Sequence, residues 1–154
     1  MTSISYDDIF NSFLGNVTDY DLASLSPSDA YEQMCEWLRK SVADPYVRHI
    51  FSSLSLDDNT QIMSYELELS IDNEADNDFV TQVLGKQMVY EWIHPRVNKT
   101  TNLNQYFGNK EQKFYSQKEM LSELRQTEQE CYVEARRLIR DHGYINNSYL
   151  GGAT

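Results

Sequence analysis

Glu91 and His94 stand three residues apart in a stretch of helical period, the Glu-x-x-His spacing with which helical bundles hold paired iron ions. That chemistry needs two such pairs and two further glutamates facing one cavity, and no second pair occurs in the chain. His94 also precedes Pro95, which predicts a histidine closing a helix beside an aromatic cluster. A zinc site finds no donor set either, because His49, His94 and His142 are scattered and Cys-x-x-Cys is absent. Cys35 and Cys131 fall among apolar neighbours on separate predicted helices and read as small core residues. There is no Gly-x-Ser-x-Gly elbow and no phosphate-cradling glycine loop. The chemistry-bearing residues therefore predict no catalytic centre, no metal and no cofactor.

Charge and aromatic content point elsewhere. The net charge is −11, and residues 1–84 alone hold three basic against sixteen acidic side chains. Such a surface repels polyanions, which argues against a sequence-specific DNA binder. Eleven tyrosines and two tryptophans accompany it, residue types that favour protein–protein contact. Tyr31, Tyr90 and Trp92 are expected in the core, whereas Tyr106, Tyr115, Tyr144 and Tyr149 fall in predicted loops or tails and suit an interface. No run of about 18 apolar residues occurs, so no membrane partner is expected. The first residues lack the basic and apolar regions of a signal peptide.

The elements that would position these residues are mainly helical. Ser116, with Glu119 completing a capping box, predicts the start of a rod that Gly143 ends. Leu121, Leu124, Cys131, Ala135, Leu138 and His142 form its seam, interrupted by Glu128 where a leucine would fit. A helix over 116–142 spans roughly 40 Å at about 1.5 Å per residue. Such a rod outruns a small core, so part of it should meet a partner. Arg136, Arg137 and Arg140 crowd its last turns, where cations suit the helix dipole.

Upstream, Ser5 caps a short helix carrying Ile9, Phe10, Phe13 and Leu14. Ser26-Pro27 opens a second helix that Asp44-Pro45 ends, with Tyr31, Met34, Cys35, Leu38 and Val42 inward. Asp57-Asp58-Asn59-Thr60 reads as a turn, and Tyr65, Leu67, Leu69 and Ile71 alternate with polar residues as in a strand. A third helix, the most buried one, should run from about Asp72 to Ile93, followed by a loop with a short helical turn from Val97 to Gly108. The expected fold is thus a helical bundle built on a long C-terminal helix, with a β-hairpin or extended arm at about 47–71. Residues 1–142 form one domain in this reading, and 143–154 a tail that docks on a neighbouring subunit or the portal.

Three groups of motifs also resemble a known family. Tyr6-Asp7-Asp8-Ile9-Phe10 with Phe13-Leu14 and Thr18-Asp19-Tyr20-Asp21 comes first. Glu91-Trp92-Ile93-His94-Pro95 with Asn98, Asn102-Leu103 and Tyr106-Phe107 is the second. Phe114-Tyr115-Ser116-Gln117, then Glu134-Ala135-Arg136-Arg137-Leu138 and Tyr144, completes the series. Their order is similar to that in the head–tail connector, or neck adaptor, proteins of tailed bacteriophages. The segment from Val47 to Ile71 departs from the shorter, more polar version of that family. The resemblance implies a structural virion protein without catalytic residues, assembled in the host cytoplasm and located in the neck between capsid and tail. It implies as partners about a dozen copies of itself in a ring, the portal protein, further neck or tail proteins, and double-stranded DNA passing through unbound.

On that expectation Tyr144, Ile145, Tyr149, Leu150, Arg136, Arg137 and Arg140 meet a neighbouring subunit or the portal. The strand expected at Ile62–Ile71 and the tail are candidates for strand addition between subunits. Asp57, Asp58, Glu66, Glu68, Asp72, Glu74, Asp76 and Asp78 line the channel, where like charge keeps DNA moving. Two other readings stay open: a stopper or tail-terminator subunit, and a small acidic regulator that binds a basic protein.

Overall fold

The computed structural model describes the backbone of residues 1–17, 26–106 and 111–145, and their side chains except at 99–118 and 120. In chain order the elements are β1 (Thr2–Ser5), α1 (Tyr6–Leu14), α2 (Pro27–Ala43), α3 (Pro45–Arg48), β2 (Phe51–Asp57), β3 (Ile62–Leu67), α4 (Asn73–Tyr106) and α5 (Glu111–Ile145). The protein is a mainly helical bundle with a long C-terminal helix and a small antiparallel sheet in the middle of the chain.

Local signals set most of the boundaries. The Ser5 hydroxyl accepts from the Asp8 amide at 3.2 Å and starts α1. Ser26 does the same for Asp29 at 3.2 Å, with Pro27 at the first helical position of α2. Asp44 ends α2, and its carboxylate accepts from the amides of Tyr46 and Val47 to begin α3. Between β2 and β3, Asp57 Oδ1 accepts from the Asn59 and Thr60 amides at 2.9 and 3.3 Å. Gln61 then adopts a left-handed φ of 57° and brings Ile62 opposite Asp57.

The sheet has the order β1-β3-β2. β1 pairs antiparallel with β3, Thr2 opposite Tyr65 and Ile4 opposite Met63. Nothing in Met1–Ser5 announces a strand. Ile4 gains burial only once β3 offers it an edge, and that gain is tertiary. The alternation expected through Ile71 stops at Leu67: Met63, Tyr65 and Leu67 are buried, whereas Leu69 and Ile71 lie beyond the strand and are exposed. Because β3 is the central strand, it has no free edge. The expectation of strand addition along Ile62–Ile71 is therefore corrected; the edge strands among the described residues are β1 and β2.

α4 contributes more buried residues than any other element among the described residues. Val80, Val83, Leu84, Met88, Val89, Ile93 and Val97 are all inside, which covers more than one face. It does not end at His94-Pro95 but passes through Pro95 to Tyr106, so the loop expected from Val97 is helix as far as that residue. An interior proline costs about 3 kcal/mol in a free helix. Val89, Ile93 and Val97 continue one apolar stripe across it, and burying that stripe offsets the loss.

α5 starts five residues before Ser116 and runs through Gly143, which stays helical and stops nothing. It packs antiparallel on α4, with Phe79 against His142, Tyr90 against Tyr132 and His94 against Glu128. Over that length the rod's partner is the chain's own α4. Leu121, Cys131 and Ala135 of the expected seam are buried, joined by Ile139.

Tyr65 ties the sheet to the bundle. Its ring is fully buried against Phe51, and its hydroxyl donates to Asn77 Oδ1 at 2.6 Å. Burial first, and the nearby Asp76 charge second, push its pKa from the ordinary 10.0 up to about 12. The unfolded chain therefore releases this proton before the folded one does. Its contribution to stability is complete below pH 10 and lost as pH rises from 10 towards 12. Urea midpoints measured from pH 8 to pH 12 should fall over that window, and Tyr65→Phe should flatten the fall. An equal slope in Tyr65→Phe would contradict the assignment.

Candidate interaction surface

The Glu91–His94 pair is the place to look first for chemistry. His94 is not at a helix end. Its ring stacks on Tyr90 at 5.3 Å, and Nδ1 meets Glu128 Oε1 of α5 at 3.2 Å. Glu128, the residue that interrupts the seam, thus answers a histidine across the helical hairpin. Its second carboxylate oxygen is buried without a hydrogen-bond partner among the described residues. Glu91 is held back from ionising by burial, against which Gln87 Nε2, donating at 3.3 Å, acts weakly. Among the described residues no three His, Cys, Asp or Glu side chains converge as a metal site would require. A cavity of about 390 Å³ lies between the end of α1, α4 and α5, lined by Asn16, Val17, Trp92, Ile93, Glu123, Leu124 and Thr127. One exposed carboxylate is its only ionisable lining group among the described residues, which gives no acid–base pair.

The end of α5 has a different character. The His142 ring stacks on Phe79 at 3.9 Å and 9°, and its Nε2–H donates to the Leu69 carbonyl at 2.6 Å. That bond fastens the last turns of α5 to the segment between β3 and α4. Around it four large apolar side chains face outward: Leu69 is 43% exposed, Ile71 51%, Tyr144 53% and Ile145 70%. Each lies within three residues of the His142–Leu69 contact, so they gather at one end of the bundle. Glu68, Asp72, Glu74, Asp78, Arg140 and Asp141 are exposed beside them in sequence.

Asp76 builds the floor of this region. Its carboxylate accepts from Ser70 Oγ at 2.5 Å and from the Ile71 amide at 2.9 Å. At 2% exposure it cannot face any channel, which corrects that expectation for this residue. The other expected channel residues are at the surface but in two places. Asp57 and Asp58 lie at the β2–β3 turn, where Asp58 pairs with Arg39 and accepts from Tyr6 Oη at 2.9 Å. Asp57 is held below the usual carboxylate range by the Thr60 and Asn59 hydrogen bonds of that turn. Glu66 meets the N-terminal amine at 3.4 Å. Glu68, Asp72, Glu74 and Asp78 lie at the opposite end of β3, near the apolar patch, where Asp72 caps α4 by accepting from the Ala75 amide.

The expected interface residues divide likewise. Tyr144 and Ile145 are exposed in the last turn of α5 rather than in a non-helical tail. Arg136 is already engaged within the chain, its guanidinium 4.3 Å from the Tyr46 ring and 4.2 Å from Tyr132. It joins α3 to α5 within the chain. Arg137 pairs with Glu134 at 2.8 Å, and Arg140 approaches Asp141 at 3.9 Å, both on the surface. Tyr149 and Leu150 lie outside the described residues. Leu69 and Ile71 were missed as surface because their alternation with Tyr65 and Leu67 placed them on the buried face. The Ser70–Asp76 bond, which turns the chain away after Leu67, has no sequence signature of its own.

No protein family, no characterised protein and no solved structure matches the chain. No described helix is long and apolar enough to cross a membrane.

Proposed function

We propose that this chain is a structural assembly subunit, a head–tail connector that forms a ring below a phage portal and extends its DNA channel. The observation that carries the reading is the apolar end made by Leu69, Ile71, Tyr144 and Ile145 on a molecule of net charge −11. Exposed leucine, isoleucine and tyrosine gathered in one place mark a surface that another protein covers. The order of motifs along the sequence supports the neck family as the setting. The acidic first half suits a bore through which DNA must pass without sticking.

Negative-stain microscopy of the purified protein, alone and mixed with portal rings, tests this. Closed rings, free or seated on portal, are expected. Tyr144→Ser combined with Ile145→Ser should abolish them while leaving the circular dichroism spectrum and melting temperature nearly unchanged, since both side chains are solvent-exposed. A protein that stays monomeric with portal and instead binds a basic protein tightly would establish the acidic-regulator reading.

A further inference from the structure

The apolar end of the bundle is also an acidic one. Glu68, Asp72, Glu74 and Asp78 are exposed on the segments that carry Leu69, Ile71 and Phe79, and none of these carboxylates has an ion pair among the described residues. The cations nearby are already engaged. The N-terminal amine meets Glu66 at 3.4 Å, Arg140 approaches Asp141 at 3.9 Å, and Arg48 Nη1 donates to the Phe51 carbonyl at 3.0 Å. Helix dipoles do not alter the balance, because α4 begins and α5 ends here and their opposite termini largely cancel. Side chains therefore set the sign, and it is negative.

That sign narrows what can cover Leu69, Ile71, Tyr144 and Ile145. Two copies meeting through this same end would bring the carboxylates against their own kind. The other large apolar side chains exposed among the described residues offer no cationic patch in its place. Ile62 stands opposite Asp57 in the sheet, Val133 shares a groove with Glu130 and Glu134, Met1 sits beside Glu66, and Leu14 is a single residue at the end of α1. Nucleic acid and anionic lipid carry the wrong charge. A protein segment that joins apolar side chains to lysine or arginine matches both properties of the surface at once.

We infer that the apolar end docks a segment of a different protein, one whose apolar side chains are flanked by lysine or arginine. The inference rests on the reading that another protein covers this end, and it adds the chemistry of that protein. Leu69, Ile71, Tyr144 and Ile145 form the contact from which water is excluded. Glu68, Asp72, Glu74 and Asp78 select the partner's charge and speed its arrival.

Amide NMR spectra of the full chain test it, with a short peptide of leucine and lysine, its leucines on one helical face, as the probe. Saturable shifts are expected at Leu69, Ile71, Tyr144 and Ile145, and none when glutamate replaces the lysines of the peptide. Ile71→Ser with Ile145→Ser should weaken binding about tenfold, as the loss of a central apolar contact does. Glu74→Gln with Asp78→Asn should weaken it about fivefold at low salt, and that loss should vanish at high salt. The replaced side chains are all exposed, so both variants should fold. No saturable shift at the apolar end would overturn the inference. So would equal shifts at the Asp57–Asp58 turn or around Val133, which mean attraction by charge without a site. Self-association of the protein alone that Ile145→Ser removes would put a second copy on this end, and would overturn it as well. Microscopy with portal separates the two readings: rings from a protein whose apolar end ignores the peptide sink this inference alone, and a peptide-binding protein that never forms rings sinks the connector alone.

Discussion

Replacing Gly85 with valine should cost about 3 kcal/mol, the upper range for overpacking a tight contact. A Cβ at Gly85 would sit 2.3 Å from Ser12 Oγ, 3.0 Å from Ser12 Cβ and 3.2 Å from its carbonyl carbon. A turn of the serine side chain relieves the first of these distances but not the other two, so α1 itself must move off α4. That motion would separate Phe13, fully buried among Trp37 and Trp92, from its neighbours. Gly85→Ala should also destabilise, although alanine gains about 1 kcal/mol over glycine in a helix. Urea denaturation of Gly85→Ala, Ser12→Ala and the double variant should show positive coupling of about 1 kcal/mol, because removing Oγ leaves the alanine one clash fewer. A Gly85→Ala protein at least as stable as wild type would remove the close helix crossing from the account.

Gly85 also shows where the sequence stops speaking. A glycine inside a helical stretch is visible, but the reason for it lies 73 residues away, at Ser12 on α1. What the sequence does disclose is local. Ser5 and Ser26 each cap a helix through a contact three residues on, and the alternation at Met63, Tyr65 and Leu67 faces one side of a strand. Every such signal is complete within one element. β1, by contrast, is a strand only because β3 recruits it. Pro95 fails to end α4 because the stripe of Val89, Ile93 and Val97 outweighs the local rule. His94 and Glu128 are each odd in the sequence, one as a histidine before proline, the other as a carboxylate in an apolar seam. Only the antiparallel hairpin shows that the two oddities answer one another. The candidate surface follows the same division: Tyr144 and Ile145 are legible as sticky residues near a terminus. Leu69 and Ile71 become their neighbours only through the His142–Leu69 bond.

Asp76→Ala should have an effect of similar size to the glycine change and a more local signature. The wild-type carboxylate is buried in the first turn of α4, where the helix dipole favours a negative charge. It takes one hydrogen bond from a hydroxyl and one from a backbone amide, both on the segment that carries Leu69 and Ile71. Alanine removes both bonds, each part-buried and made to a carboxylate acceptor, of the kind worth about 1.5–3 kcal/mol. With the dipole contribution added, about 3 kcal/mol is expected, or a melting temperature lower by roughly 6–12 °C for a chain of this size. Asp76→Asn should lose less, because its amide oxygen can still accept from Ile71. Hydrogen exchange gives the finer test: protection at Ile71 should collapse in Asp76→Ala while the amides of β3 and of central α4 keep theirs relative to global stability. The same change frees the segment to which His142 is bonded, so, if the proposed ring forms, its assembly should weaken at temperatures where the variant remains folded. Unaltered exchange at Ile71 would mean that the carboxylate does not hold this segment. The apolar end would then owe its shape to the His142–Phe79 stack and the Leu69 carbonyl bond alone.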